Sequence, residues 1–279
     1  MAQNPASAGA YIQINQLRRF SPQDMDGVID SVNAEHVQLG KGDFEGSLLR
    51  AKSGDKTFDS GIYSQSILGR TSMPADRVFV GMALPAQTGG LLEGHKLDLP
   101  TPYIYTECAE LGCRLEPGTR WFGFQVERKE IEAYGLHLPD NHSGMVDCTH
   151  GSRRRLINEF TTTLQEFTRT AAVNLNPVNS SRLADDRFDR LLAAISYTLS
   201  PDSQQLGKLS SSRHIRLVRL SQEFMYAHMH ESLLIRDHCK MFGVTYKTLE
   251  RAFVQSVGVT PRQYLSIIRL SRARRLLLM

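Results

Sequence analysis

The chain has 279 residues, with 33 Lys/Arg against 29 Asp/Glu, a net charge of +4, 41% apolar residues and 22% charged ones. This is an ordinary globular composition, long enough for about two domains, and it excludes a disordered or membrane-spanning class. No apolar run is long enough for a transmembrane helix, and the N-terminus lacks the basic-then-apolar order of a secretory signal.

Residues 1–10 read as a mobile tail, and Asn15 to Gly27 as a short helix or an irregular lead-in. From Ser31 to Glu127 the texture changes to short β-type runs separated by Gly, Pro and Asp. The runs are HVQL (36–39), FEGSLLRA (44–51), IYSQSILG (62–69), RVFVGMAL (77–84), GLLEGHKLDL (90–99), YIYTE (103–107), GCRLEP (112–117) and RWFGFQVE (120–127). Their regular spacing predicts a β-barrel or sandwich over residues 1–140, followed by a helix from Arg128 to Tyr134. His36 and His95 are isolated, with none of the converging imidazoles that a metal-binding barrel needs. Cys108 and Cys113 read as strand and turn positions, and Trp121, Phe122 and Phe124 as barrel core, with Trp121 or Tyr105 as the alternative ligand contacts. The four cysteines of a cytoplasmic-looking chain read as reduced thiols. His142, Asp147, Cys148 and His150 lack the paired spacing of structural zinc and read as a polar loop. No metal and no cofactor is expected.

Residues 141–199 are helical in pattern. Ile157, Phe160, Leu164 and Phe167 recur at alternating steps of three and four, a heptad seam. Two readings stay open for it: packing on the β-domain, or a dimer interface. After the break at Asn176-Pro177, Phe188, Leu191, Leu192 and Ile195 form a second apolar stripe. The polar run 200–212 reads as a linker. A helix from Arg213 to Met229 leads on, with Ile215, Val218, Phe224 and Met225 as its apolar side.

The last stretch, Ser232 to Met279, reads as helix, tight turn, helix, loop and a basic helix. Ser232 is the candidate N-cap of the first, and Ile235, Cys239 and Phe242 form its inner face. Gly243 suits the left-handed residue that ends it. Thr245 can cap the second helix, which puts Leu249, Ala252 and Phe253 inward and Tyr246, Lys247, Glu250 and Arg251 outward. Gly258 ends that helix, and Thr260-Pro261-Arg262-Gln263 is a capping box with proline at the first turn. Two short helices around a glycine-containing turn have helix-turn-helix geometry. From Arg213 onward there are 12 Lys/Arg and 4 Asp/Glu, a net of +8 against +4 for the chain, so residues 1–212 carry −4. A basic end on a mildly acidic body is the footprint of a phosphate-binding module.

These residues carry a resemblance. Phe242-Gly243-Val244-Thr245, Leu249-Glu250-Arg251-Ala252-Phe253 and Gly258-Val259-Thr260-Pro261 resemble the first helix-turn-helix of AraC/XylS-type transcription regulators. Tyr264-Leu265, Arg269-Leu270, Ala273 and Leu276-Leu277 continue the likeness into that family's connecting helix. Asp237-His238-Cys239 is similar to the branch with ethanolamine-operon regulators, which usually has Leu at the His238 position. The resemblance implies an α+β protein with three parts: a cupin-like β-barrel or sandwich that senses an effector, a helical dimerisation segment, and an all-α helix-turn-helix module over residues 213–279. The implied partners are double-stranded DNA, a small-molecule effector (by branch, a small amine such as ethanolamine) and a second copy of the chain, with RNA polymerase as a further candidate.

The family normally joins two helix-turn-helix units by the basic helix, and this sequence ends where that helix ends. The alternative expectation is therefore a truncated effector-binding, dimerising protein with only weak, nonspecific DNA binding. By the resemblance, helix 245–256 enters the major groove with Lys247, Glu250 and Arg251 at base edges. Their chemistry suits guanine for Arg251, cytosine N4 for Glu250, and guanine or phosphate for Lys247. Thr245 and Tyr246 are placed at phosphates, and Arg262, Arg269 and Arg272 add salt-dependent affinity. An enzyme finds no support: there is no nucleophile with a base, no carboxylate pair and no phosphate loop.

Overall fold

The computed structural model describes residues 11–18, 33–86, 89–138, 143–146, 151–173, 180–199, 206–208 and 213–278. The expected N-terminal tail, His142, Asp147, Cys148 and His150, and the 200–212 segment apart from 206–208, lie outside the described residues. In chain order the strands begin β1 (Tyr11–Arg18), β2 (Asn33–Gln38), β3 (Glu45–Ser53), β4 (Lys56–Tyr63), β5 (Ile67–Ser72) and β6 (Val78–Leu84). They continue as β7 (Gly90–Leu92), β8 (His95–Leu97), β9 (Thr101–Tyr105), β10 (Glu110–Leu115) and β11 (Arg120–Val126). Helix α1 (Arg128–Ala133), β12 (Ser143–Val146), α2 (Gly151–Val173), α3 (Ser180–Leu199) and β13 (Leu206–Lys208) follow. The C-terminal helices are α4 (Arg213–Ala227), α5 (Ile235–Met241), α6 (Tyr246–Val257) and α7 (Pro261–Leu278).

The strands form two antiparallel sheets. One runs β1-β3-β4-β11-β6-β9-β12-β13 and the other β2-β5-β10-β7-β8. The N-terminal half is thus a β-sandwich, followed by a helical region. Four layers are stacked, and period-2 alternation along the strands assigns each side chain to a gap between them. The outer face of the eight-stranded sheet carries Leu49, Phe58, Val80, Phe122 and Phe124, which pack under α1, α2 and α3. Between the sheets lie Phe44, Leu48, Tyr63, Ile67, Tyr103, Tyr105, Leu111, Cys113 and Leu115. The outer face of the five-stranded sheet contributes Leu68 to a third core, filled by Val218, Met225, Cys239, Leu249, Phe253 and Tyr264 of the C-terminal helices. Two flat contacts tighten the inter-sheet core. A Cβ on Gly81 would lie 2.1 Å from the Tyr103 ring, and one on Gly61 would lie 2.5 Å from Trp121. Both positions therefore have to stay bare for the rings to lie on the sheet.

Several expectations are corrected here. The first residues of the lead-in, Asn15 to Arg18, belong to strand β1, which pairs with β3 along its whole length; the rest of the lead-in lies outside the described residues. IYSQSILG is not one strand: it holds the end of β4, a turn and the start of β5. Ser232 does not cap α5; the residue at that position is Leu234, whose side chain makes no capping bond. The linker is interrupted by β13, which pairs with β12 and so adds an edge strand to the sandwich.

The heptad seam also has a different destination from a dimer contact. Ile157, Phe160, Leu164 and Phe167 are between 2% and 6% exposed within the single chain. The Phe167 ring centroid lies 4.6 Å from that of Phe58 and 5.4 Å from that of Phe188. The seam is the underside of α2 on the sandwich, which leaves those four side chains unavailable to a partner. Among the described side chains of α2 and α3 the outward faces are polar, with Tyr197 as the large exposed apolar one.

Candidate nucleic-acid interface

Helices α5 and α6 and the first turn of α7 are each fixed by local chemistry legible in the residues. After α5 the chain turns at Gly243, whose φ is +61°, and the Val244 amide donates to the Cys239 carbonyl at 3.0 Å. Thr245 starts α6 as its N-cap, with its Oγ1 accepting the Thr248 amide at 3.2 Å. Gly258 closes α6 in the left-handed conformation at φ +73°, with its amide donating to Val254. The capping box of α7 is complete: the Gln263 amide donates to Thr260 Oγ1 at 3.2 Å and Gln263 Oε1 accepts the Thr260 amide at 2.9 Å. A helix capped at both ends by its own sequence holds a defined shape without help from a ligand.

Helix α6 is two-faced. Leu249, Ala252 and Phe253 are fully buried and Val257 nearly so. Tyr246, Lys247, Thr248, Arg251 and Val254 are exposed on the other side, with Glu250 half-buried. The Tyr246 hydroxyl donates to Glu250 Oε1 at 3.3 Å, one turn on. Lys247 and Arg251 form no ion pair among the described residues, so both cations are presented to solvent. Arg262 and Arg272 are exposed on α7 in the same way. Arg269 departs from the expected phosphate set. Its Nε donates to the Met229 carbonyl at 3.0 Å and its Nη2 to the Glu231 carbonyl at 2.6 Å, which ties α7 to the turn after α4. Both acceptors lie in the turn that follows α4, and the side chain is a brace.

His238 is fully buried beneath α5, between the Phe224 and Phe242 rings at 5.0 and 4.8 Å. Neither ring nitrogen has a hydrogen-bond partner among the described residues. Burial lowers its pKa to about 4, because the charged form would lose its hydration.

The module sits on the outer face of the five-stranded sheet through polar contacts that are not apparent from the sequence. Arg219 of α4 places Nη2 2.8 Å from Glu93 Oε2 and 2.8 Å from the Glu110 carbonyl. The other Glu93 oxygen accepts the Gly112 amide. Arg70 of β5 lies 3.3 Å from Glu223 of α4 and 3.6 Å from Glu110. Arg114 of β10 donates to the Gly258 carbonyl at 3.0 Å. Glu93 itself has φ +48° and is followed by Gly94 at +76°, a two-residue hairpin turn between β7 and β8 that aims its carboxylate at the helices. On a strand, alternating Glu, Gly and Arg read as a solvent face; the signal that a helix covers them appears only with the fold.

Between the sheets is a cavity of about 60 Å³ walled by Phe79, Tyr103, Trp121, Leu92, Cys113 and His36, among others. The buried His36 Nδ1 at this wall has no hydrogen-bond partner among the described residues, nor does the Tyr105 hydroxyl elsewhere in the inter-sheet core. Asp59, also at the wall, is paired with Arg50 at 2.8 Å. Cys113 is buried within strand β10, and Cys108 is exposed in a turn. Among the described residues no group of three or more His, Cys, Asp or Glu is placed to hold a metal ion, and no helix is long and apolar enough to cross a membrane.

Comparison with known proteins gives one partial sequence match and remote structural alignments. No protein-family model matches the chain. It is 36% identical over 107 residues to the probable thc operon regulatory protein of Rhodococcus erythropolis, which covers 38% of this chain and 31% of that protein. The chain thus spans about a third of the length of the curated relative it matches. Among solved structures, the AraC-like transcriptional activator CuxR aligns over 95% of this chain and 94% of its own, at 14% identity and a TM-score of 0.44. Unsaturated-fatty-acid-bound ToxT from Vibrio cholerae aligns over 99% and 83%, at 7% identity and a TM-score of 0.30.

Proposed function

We propose that the chain is a non-enzymatic, DNA-binding transcription regulator of the AraC type, acting in the cytoplasm, with α6 as its recognition helix. The observation that carries this is the outward face of α6: Lys247 and Arg251 stand exposed on a doubly capped helix and lack acidic partners among the described residues. Arg251 has the donor geometry for guanine in the major groove, and Glu250 can accept from cytosine. Thr245, Tyr246 and Lys247 at the start of the helix suit phosphates, where the helix dipole also favours negative charge. Arg262 and Arg272 add the salt-dependent component. The 36% identity to an operon regulatory protein supports the same reading.

The second part of the proposal is that the sandwich takes a small effector in its inter-sheet cavity. The lining is largely aromatic and aliphatic, and the buried His36 Nδ1 on it has no hydrogen-bond partner among the described residues. An ammonium ion finds no unpaired carboxylate on it, since Asp59 is held by Arg50. The lining favours an uncharged, mostly apolar molecule with one or two hydrogen-bonding groups over a small amine.

The test is retention of fragmented genomic DNA by the purified chain at about 0.15 M salt, with sequencing of what is retained. A few sites sharing a short motif support the regulator. Uniform retention that vanishes with modest added salt reduces the activity to phosphate attraction and overturns sequence-specific binding.

A further inference from the structure

Strand β10 serves two compartments at once. Leu111, Cys113 and Leu115 point into the inter-sheet core, and Cys113 lines its cavity. Glu110, Gly112 and Arg114 alternate with them on the opposite face, under the C-terminal helices. The Glu110 carbonyl accepts from Arg219, and the Gly112 amide donates to the Glu93 carboxylate that also holds Arg219. Two residues further along, Arg114 donates to the carbonyl of Gly258 at 3.0 Å, and its Nε lies 2.7 Å from Glu116.

Gly258 is the residue that closes α6. The fit around it is close: a Cβ there would lie 2.4 Å from Arg114 Nη1. A guanidinium at this end of α6 meets the negative pole of the helix dipole and one of its open carbonyls. The reading face of α6 begins at its other end, at Tyr246. Arg114 therefore holds the far end of the helix, beside the turn at Gly94, where a Cβ would lie 3.3 Å from the Gln255 carbonyl oxygen, and a tilt about that point moves Tyr246 and Lys247 most and Arg251 less.

We propose that Arg114 is a positioning residue for the recognition helix. It pins the end of α6 to β10, so that what occupies the inter-sheet cavity against Cys113 sets the angle at which α6 is presented. The inference rests on the DNA-binding reading only for its second readout below.

The test is hydrogen exchange on the full chain, comparing the wild type with Arg114→Ala, Arg114→Lys and Cys113→Leu. Arg114→Ala should lose about tenfold protection at the amides of residues 254–262, the scale of one charged hydrogen bond, with β3 and β4 unchanged. Arg114→Lys, which can still donate to the Gly258 carbonyl, should restore most of it. Cys113→Leu alters only the cavity side of the strand and should change protection over the same residues. On a DNA fragment that the wild type selects, Arg114→Ala should weaken binding several-fold while retention on bulk DNA is unchanged. Unchanged protection at 254–262 in Arg114→Ala overturns the proposal, as does a loss shared equally by β3 and β4 or one that Lys fails to restore. If the wild type selects no fragment, the DNA-binding reading fails, and the exchange result still decides whether Arg114 positions α6.

Discussion

The Arg219 guanidinium of α4 and the Glu93 carboxylate of the sandwich meet at 2.8 Å, and Glu93 is almost wholly enclosed by that contact. Burial raises the carboxyl pKa, and Arg219 together with the Gly112 amide offsets only part of the rise. A raised acid keeps its proton in the native state at pH values where the unfolded chain has released it. Stability from this group is therefore present at low pH and is lost as pH rises through the folded-state pKa. Glu93→Gln, which can still accept from Gly112 but sets an amide NH2 against Arg219, should abolish that slope and cost less than full truncation at neutral pH. Glu93→Ala, which leaves the Gly112 amide without its acceptor, should cost about 1–3 kcal/mol. Urea titrations at several pH values separate the two.

Arg251→Ala should weaken binding to a selected DNA site by about 1–3 kcal/mol, about fivefold or more, and relax the preference at a single base position. Its side chain is exposed, so the unfolding midpoint should stay within about 0.5 kcal/mol of wild type. An unchanged binding curve removes Arg251 from the reading face.

Phe160→Ala tests where the α2 seam goes. The ring is 3% exposed inside the core shared with the sandwich, and its loss should cost about 3–5 kcal/mol of stability. Sedimentation of the folded variant should give the same oligomeric state as wild type. A change of assembly at unchanged stability would return the seam to a dimer interface.

His238→Leu should stabilise the chain by about 1–3 kcal/mol, because two buried nitrogens without partners are replaced by a hydrocarbon. The wild-type native state resists protonation at His238 and at His36, whose pKa values both fall from 6.5 to about 4. The unfolded chain takes up those protons first, so stability drops as pH falls from 6.5 toward 4. The Leu variant should show a shallower drop over that window, with the His36 part remaining. Calorimetry across the range measures it.

The C-terminal module was the most legible part of the sequence because its signals are local. Gly243, Thr245, Gly258 and the Thr260–Gln263 box each act within four residues, and each is found in its expected place. Strand β4 and the true start of β5 were harder to read, because the Ser64–Ser66 turn between them lacks glycine and proline, the usual marks of a break. Strand β1 was missed because its identity comes from pairing with β3, which lies about 30 residues further along the chain. The seam of α2 shows the same limit: its periodicity reveals a buried face but not what buries it. Arg269 had the right charge and spacing for a phosphate contact, and only the Met229 and Glu231 carbonyls across the turn show that its donors are already engaged.

Strand β13 also shortens the leash on the DNA-reading module. With Lys208 stitched to Gly144, only residues 209–212 separate the sandwich edge from Arg213, a reach of at most about 18 Å at full extension. Were the module to lose its contacts with the five-stranded sheet, this tether would keep it within re-docking distance at a high effective concentration. A wider separation requires β13 to come away from β12, a ladder of three residue pairs.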